Sequence, residues 1–120
     1  MSAKRSVLRG SWLVPWLAIS ALAAPAADLR LLEAVKEQDR EAVRSLLDAQ
    51  ADVNAAQPDG TTALAWAAYR DDLETAELLI RSRADVNAAN DYGVTPLSLA
   101  CQNRSASMVE KLLQAGANPN

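Results

Sequence analysis

The chain has 120 residues, of which 12 are basic and 15 acidic, giving a net charge of −3, and it contains no histidine and a single cysteine. An acidic chain without a basic stripe argues against nucleic acid as a partner. Without histidine, a histidine-based catalytic triad cannot be assembled from its own residues, and with only one cysteine besides, a zinc site is not expected. Half of the residues are hydrophobic, yet 4% are aromatic and none is Phe. Much of that apolar content is Ala, which suits short, closely packed helices better than one bulky core.

The first stretch reads as a targeting segment and not as part of the fold. Lys4, Arg5 and Arg9 precede an apolar run from Trp12 to Leu22, and Ala23-Ala24-Pro25-Ala26 follows with small residues. This order is the grammar of a secretory signal peptide over residues 1–26, with Ala24-x-Ala26 as the expected cleavage signature and Ala21-x-Ala23 as the second choice. The expected compartment is therefore outside the cytoplasm, periplasmic or secreted, with no membrane span after cleavage. A membrane anchor over residues 10–27 is the alternative, since that uncharged run reaches the lower limit of a span, about 18 residues. Pro15 and the Ala-rich end favour cleavage, and a mitochondrial transit peptide would need more arginine. Loss of the three basic residues would take the net charge from −3 to −6.

Asp28 is placed to cap a helix over Leu29–Lys36, on which Leu31, Ala34 and Val35 share a face. Asp39, Asp72 and Ser105 stand 33 residues apart, and each is a good N-cap residue before an apolar-striped segment. Those segments contain Leu46-Leu47, Leu79-Ile80 and Leu112-Leu113. The same period relates Gly60 to Gly93, Thr62 to Thr95, Leu64 to Leu97 and Ala67 to Ala100. The stretches Ala51–Gly60 and Ala84–Gly93 between helices carry Asn, Asp, Pro and Gly, the residues of turns. A fixed period of this length means one unit stacked on itself, because no single unit can bury its own apolar stripe.

The unit resembles the ankyrin repeat. The residues that carry the resemblance are Gly60-x-Thr62-Ala63-Leu64-x-x-Ala67-Ala68, Leu78-Leu79-Ile80-x-x-x-Ala84-Asp85-Val86-Asn87 and Gly93-x-Thr95-Pro96-Leu97. They recur in register over roughly Leu29–Asn120. Two departures stand out: Ala65 and Ser98 occupy the place of the family's usual His, and Gln50 and Arg83 occupy the place where Gly116 matches the family's Gly. The resemblance implies an all-α solenoid of helix-turn-helix units with hairpin-like fingers. The units divide as a shortened repeat over 28–55, a second over 56–88 and a third over 89–120. The third has no polar outer cap, so the array reads as truncated, with its last repeat marginal.

Other chemistry is absent from the sequence. There is no phosphate-binding glycine loop and no nucleophile elbow, and Asp52 to Gly60 fails the spacing of a calcium loop. Asp71-Asp72 reads as a helix cap, and Asn103-Arg104-Ser105 is a glycosylation sequon relevant only in a eukaryotic secretory pathway. Cys101 aligns with Ala68 and is expected to be buried. No enzyme activity, cofactor, metal or small-molecule substrate is expected. What the resemblance implies is binding of an unidentified protein on the finger and first-helix face. Carried over by position, that face comprises Lys36 and Glu37; Pro58, Asp59, Thr61, Tyr69 and Arg70; and Asp91, Tyr92, Val94, Gln102 and Asn103. Trp66 is expected to be half-buried between repeats or exposed on that face. The alternative is that these repeats open a larger secreted protein whose activity, enzymatic or toxic, lies beyond residue 120.

Overall fold

The computed structural model describes residues 29–120. The signal segment, its cleavage site and the Asp28 cap lie outside the described residues. Six helices follow one another: α1 Leu29–Lys36, α2 Arg40–Asp48, α3 Ala63–Tyr69, α4 Leu73–Arg81, α5 Pro96–Gln102 and α6 Ala106–Gln114. They pair as α1–α2, α3–α4 and α5–α6. The first members form an inner row, α1 on α3 on α5, and the second members an outer row. This is the stacking expected from the period and the all-helical architecture that the resemblance implied.

The starts of α2 to α6 are chemically marked. Asp39, Asp72 and Ser105 accept from the backbone N–H groups of Ala42, Thr75 and Met108 at 3.1, 3.2 and 3.2 Å. Thr62 and Thr95 do the same for α3 and α5, accepting from Ala65 and Ser98. At Thr95 the arrangement is reciprocal, its own N–H donating to Ser98 Oγ at 2.9 Å, so two otherwise orphaned donors are satisfied together. Pro96 sits in the first turn of α5, where no intrahelical donor is lost.

The ends are marked by left-handed residues. Gln50, Arg83 and Gly116 follow the outer helices at φ 67, 72 and 101°, so the glycine place of the repeat keeps its backbone conformation even where the residue is not glycine. A second set was not anticipated: Gln38, Asp71 and Arg104 end the inner helices at φ 58, 55 and 56°. A left-handed non-glycine residue costs roughly 1–2 kcal/mol. The short turns are thus held against backbone preference by packing.

The core runs through the stack. Leu31, Val35, Val43, Leu64, Ala67, Ala68, Ala76, Leu79, Ala100, Met108 and Leu112 are all essentially inaccessible. Alanine at 67, 68 and 100 lets successive inner helices approach closely. Cys101 corrects the sequence expectation: it is exposed, whereas its equivalents Val35 and Ala68 are 1% and 0% accessible. The reason is positional. Val35 is covered by α3 and Ala68 by α5, and among the described residues no further inner helix follows α5 to cover Cys101.

Fingers connect the pairs. Gln57 N–H donates to the Thr61 carbonyl and Asn90 N–H to that of Val94, and Gly60 turns the tip at φ 88°. A Cβ at Gly60 would lie 3.1 Å from Asn90 Cα in the next finger, so glycine there serves close approach as well as conformation. The fingers are hairpin-like in backbone pairing, with one isolated bridge between Ala56 and Thr62. Neighbouring fingers are joined by Asp91 N–H to the Asp59 carbonyl at 2.8 Å. Two asparagines tie the far turns together as well. Asn54 accepts from Asp85 N–H at 2.7 Å and donates to the Arg83 carbonyl; Asn87 accepts from Asn118 N–H at 2.7 Å and donates to the Gly116 carbonyl.

Candidate functional site

The inner row and its fingers present one aromatic group. Trp66 on α3 is half-buried, and its indole N–H donates to Gln57 Oε1 at 2.7 Å. Tyr69, one turn on, meets it edge to face with ring centroids 5.6 Å apart at 87°. The Lys36 ammonium lies 5.0 Å over the Trp66 ring, a cation–π contact that also fixes the indole from the side of α1. These restraints leave the indole little rotamer freedom before any partner arrives, which lowers the entropy cost of using it as a contact.

Beside this pair runs a groove of about 240 Å³ lined by Thr61, Ala65, Trp66, Tyr69, Asn90, Val94 and Leu99. Its floor is apolar because Ala65, Val94 and Leu99 stand where the inner helices and the second finger meet. Its walls are aromatic. A larger hollow of about 390 Å³ lies between α4 and α6 on the outer row, but Glu74, Glu77, Glu110 and Lys111 line much of it. Charges there are consumed locally: Lys111 and Arg81 both reach Glu77, at 3.6 and 3.5 Å. The inner groove is the better candidate for recognition, since it offers apolar area with few committed charges.

The residues expected on this face divide into three groups. Thr61, Tyr69 and Val94 line the groove, and Lys36 touches it through Trp66. Pro58, Asp59, Asp91 and Tyr92 belong to the finger tips, where Tyr92 is 81% exposed. Glu37, Arg70, Gln102 and Asn103 lie exposed at the ends of the inner helices or in the turns after them. Tyr69 is 55% exposed, and Arg70 makes no ion pair among the described residues.

Several of these side chains are engaged by the fold, Thr61 Oγ1 among them, which accepts from Asn90 Nδ2 at 3.3 Å. Asp59 accepts from Thr61 N–H at 3.0 Å and from Gln57 Nε2 at 3.4 Å, and the Thr61 hydrogen bonds hold its carboxyl below the usual range. Asn103 donates to the carbonyls of Ala68 and Tyr69 at 3.0 and 2.9 Å, closing the C-terminal end of α3. Gln57, Ala65, Asn90 and Leu99 were not anticipated as part of the site. Gln57 and Asn90 share one repeat position at the base of each finger, a signal that the alignment of the two copies already contained.

On the outer row Arg40 donates through Nε and Nη2 to Asp72 Oδ1 at 3.2 and 3.0 Å, and Arg40 and Arg44 both pair with Glu74. The Asp72 side chain is 1% exposed. Burial pushes its carboxyl upward, but the Thr75 hydroxyl, the Arg40 guanidinium and the Thr75 N–H together outweigh burial and hold it below the usual carboxylate range. This cluster joins repeat to repeat and leaves its carboxylates engaged. No helix among the described residues is long and apolar enough to cross a membrane.

Comparison with protein families gives one finding: a family model described as ankyrin repeats, in three copies, matches residues 31–120. Among curated proteins none matches the chain.

Proposed function

We propose, from the premise that this chain belongs to the ankyrin-repeat family, that it is an exported module that binds a protein through its finger and inner-helix face. Repeats of this family are in general protein–protein interaction modules. The observation that supports this face over the outer one is the restrained Trp66–Tyr69 pair above an apolar groove, with Arg70 beside it making no ion pair among the described residues. Aromatic and arginine side chains of this kind anchor interfaces because each combines large contact area with a directional polar group. Binding proceeds by shape complementarity to a pre-formed surface and involves no turnover.

The binding reading is tested with the triple variant Tyr69→Ala, Arg70→Ala, Tyr92→Ala. All three residues are exposed, so helical content is expected to remain that of the wild type. Capture from the exported fraction is expected to lose a defined protein that wild type and a Glu110→Ala variant on the outer row both retain. The same set of proteins captured by all three chains would remove this face from consideration.

Export rests on Lys4, Arg5 and Arg9, the apolar run after them and Ala24-x-Ala26. N-terminal sequencing of the chain recovered from its native compartment is expected to begin near Ala27. A membrane-extracted product that starts at Met1 would instead support the anchor.

A further inference from the structure

The groove beside Trp66 lies within the stack. Residues of α3 and α5 give its floor, the two fingers its rim, and Lys36 of α1 reaches its aromatic wall from the preceding repeat. At about 240 Å³ it falls below the roughly 300–1,000 Å³ of pockets that enclose small molecules, and it suits a chain laid across it. No charged side chain lines it. The Trp66 and Tyr69 rings stand at 87° to each other and form a corner. The indole N–H is already donated to Gln57, so Trp66 offers contact area there and no donor.

The hydrogen-bonding capacity of the groove is one-sided. Asn90 Oδ1 accepts from the N–H groups of Tyr92 and Val94 at 2.9 and 3.0 Å, which fills both lone pairs of the amide oxygen. The carbonyls of Thr61, Asn90 and Val94 accept from the N–H groups of Gln57, Gly93 and Asn90. Donors are left over. Asn90 Nδ2 carries two N–H groups and gives one to Thr61 Oγ1 at 3.3 Å; the second, and the Thr61 hydroxyl hydrogen, meet no acceptor among the described residues. A segment seated here finds donors for its carbonyls and no amide or carbonyl acceptor for an N–H. Proline is the residue that brings no N–H, and an extended proline-rich chain keeps its carbonyls free because it forms no internal hydrogen bonds. The rim adds charge. Asp59 and Asp91 stand on adjoining finger tips, joined by Asp91 N–H to the Asp59 carbonyl at 2.8 Å. Neither carboxylate pairs with a cation among the described residues, and the tips, residues 57–61 and 90–94, contain no Lys or Arg.

We infer that the partner protein meets this groove through an extended, proline-containing segment, with a proline in the Trp66–Tyr69 corner, a backbone carbonyl on Asn90 Nδ2 and the Thr61 hydroxyl, and a neighbouring lysine or arginine at the Asp59–Asp91 rim. This names the partner chemistry of the face proposed above and rests on that reading. A proline-rich segment is already extended before it binds, so little order is imposed on it at a surface that is itself restrained.

Short fluorescently labelled peptides, titrated with the full chain and read by anisotropy, test this. The first probe combines several prolines with one arginine. The second has alanine for every proline, and the third has glutamate for the arginine. The first is expected to bind saturably and the second roughly 5-fold or more weakly, since alanine brings an N–H that the groove does not accept. The third is expected to bind roughly 2- to 5-fold more weakly than the first at low salt, a gap that closes at high salt. Tyr69→Ala, at a residue 55% exposed, is expected to abolish the preference for proline. Asp91→Lys, at an exposed finger tip, is expected to abolish the difference between the first and third probes and to keep the preference for proline over alanine. No binding of the first probe, or equal binding of the first two, would overturn the inference, as would an unchanged charge preference in Asp91→Lys. Capture from the exported fraction separates this from the binding reading. A protein lost in the triple variant, from a chain that does not discriminate the first two probes, leaves the binding face standing and removes the proline segment alone.

Discussion

Replacing Leu79 with alanine is expected to lower the unfolding free energy by about 2–5 kcal/mol, the range for large-to-small changes in a packed core. Leu79 is 0% accessible in the middle repeat and belongs to the continuous core. A cavity there weakens contact with the repeats on both sides, because neither flank can shift without opening its own interface. Against a total stability of about 5–15 kcal/mol for a domain, the loss is a substantial fraction. It is read as a fall in the denaturation midpoint followed by far-ultraviolet circular dichroism. Leu113, which is 43% exposed, is the internal contrast: its alanine variant is expected to stay within about 0.5 kcal/mol of wild type. Equal midpoints for the Leu79 and Leu113 variants would refute the stacked core.

Asp72→Ala is expected to produce the second large effect, about 2–4 kcal/mol. The carboxylate caps α4 through Thr75 N–H, accepts from the buried Thr75 hydroxyl at 2.7 Å and receives Arg40 from the preceding repeat. Removing it leaves a buried hydroxyl unpaired and severs a tie between α2 and α4. The equivalent change at Asp39, an exposed cap, is expected to cost about 0.5–1 kcal/mol.

The pH dependence has a defined sign. The Asp72 carboxyl is held below its ordinary value in the folded chain, so its contribution is fully present above the unfolded pKa of about 4. That contribution is lost as pH falls through the lowered folded value. Wild type is expected to lose stability over that acid range, and Asp72→Ala to lose less of it. Parallel stability–pH curves for the two chains would contradict this role.

How much of this could be read before the structure depends on what each feature needs. The pairs of helices, their order and the three outer-helix caps were legible because each is a local signal repeated at 33 residues. The left-handed turns at Gln50 and Arg83 were legible from their register with Gly116. Those at Gln38, Asp71 and Arg104 were not, because no glycine marks that position in any copy. Cys101 was misjudged since alignment transfers identity but not neighbours: the last inner helix has nothing after it among the described residues. The Arg40–Asp72 tie joins two non-equivalent repeat positions, so no period announces it. Of the groove, Tyr69, Thr61 and Val94 followed from position in the repeat. The roles of Gln57 and Asn90 depend on side-chain hydrogen bonds that the sequence does not display.

The central claim is that the finger and inner-helix face is the surface that meets a partner. A photoreactive benzophenone side chain introduced at position 69, and separately at position 110 on α6, tests it most directly when illuminated in the native compartment. The account predicts a covalent adduct to one defined protein from position 69 and none to that protein from position 110. An adduct to that protein from position 110 alone, or in equal yield from both positions, would contradict it.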